Sequence, residues 1–218
     1  MVDKVCVVVG AGPGIGLAVA KRFAREGYRP VLVARRVSEL GNYAAEVGSN
    51  AYTVAADAGN PVSLREAFSE IAVRVGKPEV LVYNAAAVHD GKPSILEVDS
   101  LIADFRVNVG GALVAAQQVI GYMREAKRGT ILLTGGGLAL NPAPTYASLA
   151  IGKAGLRSLA YSLAGELEPD GIHVATVTVA GFVQKGTYFD PDSIAEVYWT
   201  LHSQPAGSWE HEVIYRQP

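Results

Sequence analysis

The chain has 218 residues, half of them apolar and 18% charged, with a net charge of −2 and one cysteine. That length suits one α/β domain with a sizeable core, and the composition is that of a globular chain rather than a disordered one. The charge argues against a nucleic-acid or anionic-membrane partner, one cysteine rules out a disulfide framework, and the apolar runs are too short to span a bilayer. No basic, apolar and small-residue sequence in the order of a signal peptide opens the chain, so the expected location is the cytoplasm.

The first apolar run, Lys4–Val9, reads as a buried strand in which Cys6 is an inert thiol. It leads directly into Gly10-Ala11-Gly12-Pro13-Gly14-Ile15-Gly16, and this turn opens an amphipathic helix over Ile15–Arg25 that stops at Gly27. A strand, a glycine turn and a helix in that order build a site for the pyrophosphate of a dinucleotide. Glycine permits the tight turn and lets phosphate approach the backbone, while the first helical amides and the helix dipole point at the anion. A glycine turn with no ligand would have the same composition, and the flanking strand and helix are what favour the nucleotide.

A second strand, 30–34, ends in Arg35-Arg36, and a helix over 38–47 stops at Gly48. A third strand, 51–55, is followed by Asp57 and Ala58, and Asn60-Pro61 caps a helix running to Val75. The strand 80–83 ends in Tyr83-Asn84-Ala85-Ala86. Ala- and Leu-rich helices are predicted over 99–126 and 145–167, on either side of a strand at 130–134 that leads into Gly135, Gly136 and Gly137. The strand 173–179, a helix over Pro191–His202 and a short strand at 213–215 complete the chain. This alternation predicts an α/β fold, a doubly wound parallel sheet of Rossmann-like type in one domain, with the first strand central.

In this order the motifs resemble the short-chain dehydrogenase/reductase family over nearly the whole chain. Its GxxxGxG pattern falls on Gly10, Gly14 and Gly16, with Gly12 and Ile15 inside the turn. The resemblance implies that Asp57, beside Ala58, meets the adenine, and that Tyr83-Asn84-Ala85-Ala86 stands for the family's Asn-Asn-Ala-Gly with its first and last members changed. Asn108 matches the mid-helix asparagine that holds a water in the family's proton relay. Lys153-Ala-Gly-Leu156 resembles the stretch starting at the catalytic lysine, which orients the nicotinamide ribose. Val179-Ala180-Gly181, with Val183 just beyond, stands where the family closes over the nicotinamide.

The end of the second strand indicates which cofactor is used. NAD-preferring enzymes place a carboxylate there for the ribose 2′-hydroxyl. This chain has Arg35 and Arg36, whose guanidinium groups suit a 2′-phosphate, so NADP (NADPH) is expected. Two solvated arginines after a strand are the plainer alternative.

The catalytic half departs from the family. With Lys153 as the lysine, the tyrosine position is Leu149 and the serine position falls on Gly136. Leucine can neither donate a hydrogen bond to a developing oxyanion nor supply a proton, and losing a general acid costs about 10²–10⁴-fold. Three substitutes stand open: Tyr146, His89 in the loop after Asn84, and the amides of Gly135, Gly136 and Gly137. Each has a plainer explanation, respectively a packing tyrosine, a surface histidine and a turn that needs glycine.

His173, His202 and His211 lack partners at ligand spacing, so no metal is expected. Trp199 and Trp209 read as packing residues. The segment 181–191 is short, which implies an open or partner-completed pocket. Two functions follow: an NADP-dependent oxidoreductase acting on a small carbonyl or alcohol, or an NADP(H)-binding sensor or subunit with impaired chemistry. The apolar circumference of the two long helices, including Ala112, Leu113, Ala115, Ala116, Leu156, Leu159 and Leu163, predicts a homodimer or homotetramer.

Overall fold

The computed structural model describes residues 4–218. Their apolar runs form one seven-stranded sheet in which every pairing is parallel. In chain order the strands are β1 (Lys4–Val9), β2 (Tyr28–Ala34), β3 (Tyr52–Ala55), β4 (Pro78–Tyr83), β5 (Gly129–Gly136), β6 (Ile172–Val179) and β7 (Glu212–Tyr215). Their order across the sheet is β3-β2-β1-β4-β5-β6-β7. The predicted first strand is therefore interior, while β4 takes the middle position. The direction of winding reverses between β1 and β4, where doubly wound sheets open a crevice beyond the carboxyl ends of their strands.

Alternation along each strand divides the core in two. Val5, Val7 and Val9 face one layer, which holds α3 (Pro61–Arg74), α5 (Gly111–Ala126) and α6 (Ala147–Leu167). Cys6 and Val8 face the other, built from α1 (Ile15–Arg25), α2 (Val37–Val47) and α7 (Pro191–His202). Burial raises the Cys6 thiol far above its usual range, as expected of an inert core sulfur. Trp199 packs edge-on against Phe23, and the Trp209 ring stacks on His173 at 5.0 Å.

Two elements differ from expectation. The predicted helix over 99–126 is interrupted: α4 (Val98–Phe105) passes through one wide π-type turn, Arg106–Gly110, into α5. The buried Tyr83 hydroxyl donates to the Val107 carbonyl inside that turn. An added Cβ on Gly111 would collide with the same hydroxyl and with Ala58, so the approach needs glycine. Secondly, β5 runs on through Gly135 and Gly136, which pair with Thr178 and Val179 of β6. These glycines are strand rather than open turn. An added Cβ on Gly135 would come within 2.7 Å of Thr176 Oγ1 and 2.8 Å of Thr178 Oγ1.

Of the apolar residues first read as covering α5 and α6, Ala112, Ala115, Ala116, Leu156 and Leu163 lie in the core of this one chain. Of the residues so read, Leu113 alone is exposed, and with it Ile102, Phe105, Ile151 and Tyr161 are left uncovered. Helical periodicity shows that a stripe is apolar; which neighbour covers it depends on the fold.

Candidate active site

Beyond the carboxyl ends of β1, β2 and β4 lies a cleft of about 560 Å³. Gly10, at the tip of β1, has φ +87°, and an added Cβ would strike the backbone of Asn84 and Ala85. Only glycine fits a position that combines left-handed backbone with so close an approach. The turn is held on both sides, because the Gly10 and Ala11 amides donate to the Val33 carbonyl and Asn84 Nδ2 donates to the Gly10 carbonyl at 2.9 Å. Gly16, in the first turn of α1, could not carry a Cβ without coming within 2.6 Å of the Gly10 carbonyl oxygen. By contrast, nothing lies within 4 Å of a Cβ placed on Gly12 or Gly14. Their open faces, with a helix start that no side chain caps, form the kind of cradle a pyrophosphate fills.

The structure brings Gly10, Arg35, Arg36, Asp57, Ala58, Asn84, Ala85 and Ala86 to this one cleft. It adds Glu39, Val88 and Val107, which sequence reasoning missed, and His89. Glu39 was hidden because it stands in the first turn of α2 rather than at the tip of β2. Its carboxylate pairs with Arg36 at 3.1 Å and accepts the Tyr43 hydroxyl, while Arg35 makes no ion pair among the described residues. Asp57 accepts the Gly59 amide with one oxygen.

A family model described as short chain dehydrogenase matches residues 4–187. The chain belongs to the short-chain dehydrogenase family. Among its relatives, the 3-oxoacyl-[acyl-carrier-protein] reductase of Homo sapiens is 27% identical over 181 residues, covering 83% of this chain and 76% of that protein. A metagenomic short-chain oxidoreductase solved in complex with NADP is 29% identical with a TM-score of 0.88, covering 97% of this chain and 96% of that one. The 3-ketoacyl-(acyl-carrier-protein) reductase of Brucella melitensis, solved with NADH, is 27% identical with the same TM-score and the same two coverages.

In this short-chain dehydrogenase Lys153 is buried on α6, and its Nζ donates to the Thr134 carbonyl at 2.6 Å. Burial lowers its pKa from the ordinary 10.5 to about 8. Leu149 lies one helical turn earlier and is half-buried. A Cβ added to Gly136 would make ordinary contacts of 3.4–3.6 Å with the Lys153 stem, so the missing serine is not dictated by crowding.

Asn108 is buried in the wide turn, where it accepts the Ala87 amide at 2.8 Å and donates to the Ala87 carbonyl at 3.2 Å. It fastens the loop after β4 to the helix layer. Gly152 is what lets α6 pack there, since an added Cβ would meet Asn108 Nδ2 at 2.7 Å. Tyr146 sits at the start of α6 and does not line the cleft. Gly181 and Val183 are exposed on the segment after β6, likewise outside the lining. No described helix is long and apolar enough to cross a membrane.

Proposed function

We propose that this short-chain dehydrogenase is an NADP(H)-dependent oxidoreductase of a small carbonyl or alcohol. The observation that carries the reading is that Gly10 and Ala11, which open the glycine turn, share one cleft with Arg35 and Arg36. When bound, the cofactor supplies or accepts a hydride at its nicotinamide ring. The turn from Gly10 through Gly12, Gly14 and Ile15 to Gly16 holds the pyrophosphate with backbone amides. Arg35 meets the 2′-phosphate, and Arg36 offsets the charge of Glu39 beside it. Asp57 and Ala58 border the adenine, and Asn84, Ala85 and Ala86 form the cleft's opposite wall. Lys153 orients the nicotinamide ribose, Gly181 and Val183 cover the nicotinamide end, and Asn108 positions the loop at Ala87. The NADP-bound neighbour is consistent with this reading, and the NADH-bound one makes the preference a matter for measurement.

Fluorescence titration tests it. NADPH is expected to bind at least tenfold more tightly than NADH, equivalent to about 1.4 kcal/mol, and Arg35→Asp to reverse the order. Equal affinities in the wild type would remove the 2′-phosphate assignment.

A further inference from the structure

With leucine at position 149, the cleft needs another source for the proton that completes carbonyl reduction. The titratable side chains lining it are Arg35, Arg36, Glu39, Asp57 and His89. The first four stand at the ends of β2 and β3 and at the start of α2, the region assigned to the adenosine half. His89 alone belongs to the loop after β4. That loop is pinned on both sides of the histidine. Ala87 is bonded to Asn108, and Gly91 is bonded to the start of α6, its amide donating to the Thr145 carbonyl at 2.7 Å and its carbonyl accepting the Ala147 amide at 3.3 Å. The same helix carries Leu149 and Lys153.

The His89 ring is also fixed. Its Nδ1 lies 2.7 Å from Asp104 Oδ1, and the other Asp104 oxygen accepts the Ser148 hydroxyl at 2.7 Å. An ionised carboxylate only accepts, so Nδ1 carries a hydrogen and Nε2, which has no partner among the described residues, is the free nitrogen. The Asp104 side chain is 4% exposed, whereas that of His89 is 70% exposed. Burying a carboxylate is costly unless donors or a counter-charge meet it. Here a hydroxyl and an imidazole do so, and among the described residues no lysine or arginine pairs with it. A buried carboxylate that orients an imidazole on the wall of a cleft is an arrangement suited to proton transfer.

We propose that His89, oriented by Asp104 and Ser148, delivers the proton to the substrate oxygen. This rests on the oxidoreductase reading. In the reducing direction a hydride, with its two electrons, adds to the carbonyl carbon and the C=O π pair moves to oxygen. With the ring first protonated by solvent at Nε2, that N–H bond breaks, its electron pair stays on nitrogen and an O–H bond forms, giving the alcohol and the neutral Nδ1–H ring. The ring then regains its proton from water, which its exposure allows. Asp104 and Ser148 are positioning residues in this scheme.

The test follows NADPH oxidation with 2,3-butanedione, NADPH affinity by fluorescence, and ring-nitrogen NMR of the free protein. His89→Ala, on an exposed loop, is expected to lower turnover by about 10²–10⁴-fold with NADPH affinity unchanged, and added imidazole to restore part of the loss. Asp104→Asn, or the milder Ser148→Ala if the former fails to fold, should shift the His89 ring from a single Nδ1–H tautomer to a mixture. Wild-type turnover in His89→Ala, or a loss that imidazole does not relieve, would overturn the donor role and leave the oxidoreductase reading standing. A wild type that binds NADPH but reduces no carbonyl would overturn both. An unchanged ring tautomer in both positioning variants would remove Asp104 and Ser148 from the scheme.

Discussion

If Leu149 occupies the place of the missing phenol, restoring that phenol should relieve the enzyme of its need for His89. The perturbation is Leu149→Tyr with Gly136→Ser, introduced into His89→Ala. Gly136 has extended backbone (φ −160°, ψ 147°), which any residue adopts. Its added Cβ would rest 3.4, 3.5 and 3.6 Å from Lys153 Cγ, Cε and Cδ, so serine enters without displacing the lysine. Tyrosine at 149 projects from the same face of α6 as Lys153, one turn away, and the half-buried leucine leaves a route for the larger ring toward solvent. A positioned general acid contributes about 10²–10⁴-fold, or about 3–5 kcal/mol of barrier. The triple variant should therefore regain most of what His89→Ala loses. Steady-state NADPH oxidation with 2,3-butanedione measures this, with NADPH affinity and thermal midpoint as controls. A triple variant that binds NADPH normally but is as slow as His89→Ala would show that position 149 does not face the reacting oxygen, refuting the alignment through Lys153.

Other consequences can be measured separately. Because Lys153 has its pKa lowered by burial from 10.5 to about 8, the unfolded chain holds that proton more tightly, and stability should rise by about 3 kcal/mol as pH climbs between those values. Lys153→Met should abolish the rise and be more stable at neutral pH in denaturant titrations, at the expense of turnover. His202 is held neutral by burial, with its pKa lowered from 6.5 to about 4, and is hydrogen-bonded to Tyr28 and Thr130. Stability should therefore fall by about 3 kcal/mol as pH drops across that window, and His202→Gln should flatten this limb in thermal melts. Tyr146→Phe should leave turnover within about twofold; a fall of about a hundredfold would instead make Tyr146 the acid. Light scattering should give a dimer or larger, with Ile151→Glu shifting it toward monomer, since Ile102, Phe105 and Ile151 are each more than 40% exposed on the outer helix face. A monomeric wild type at micromolar concentration would contradict this.

The sequence by itself determined the features that depend on neighbours along the chain. Apolar runs of strand length alternating with amphipathic helices specify a parallel sheet covered on both faces, and Gly10 through Gly16 between a strand and a helix specify an anion cradle. Arg35-Arg36 at a strand end and the absence of a phenol four residues before Lys153 were equally legible, because each rests on local spacing. Only the tertiary structure decided what depends on how distant segments cross. Tyr83 and Gly111 lie 28 positions apart, yet their approach accompanies the wide turn that breaks the predicted helix and presents Asn108 to Ala87. Glu39 borders the cleft from the first turn of α2, just past the end of β2. His89, Asp104 and Ser148 come from a loop and two helices, and no local periodicity marks them as partners. A histidine in a polar loop and an aspartate within a helix look like ordinary surface residues in sequence. Packing of α4 against α6 buries that carboxylate, and burial is what makes its choice of partner consequential.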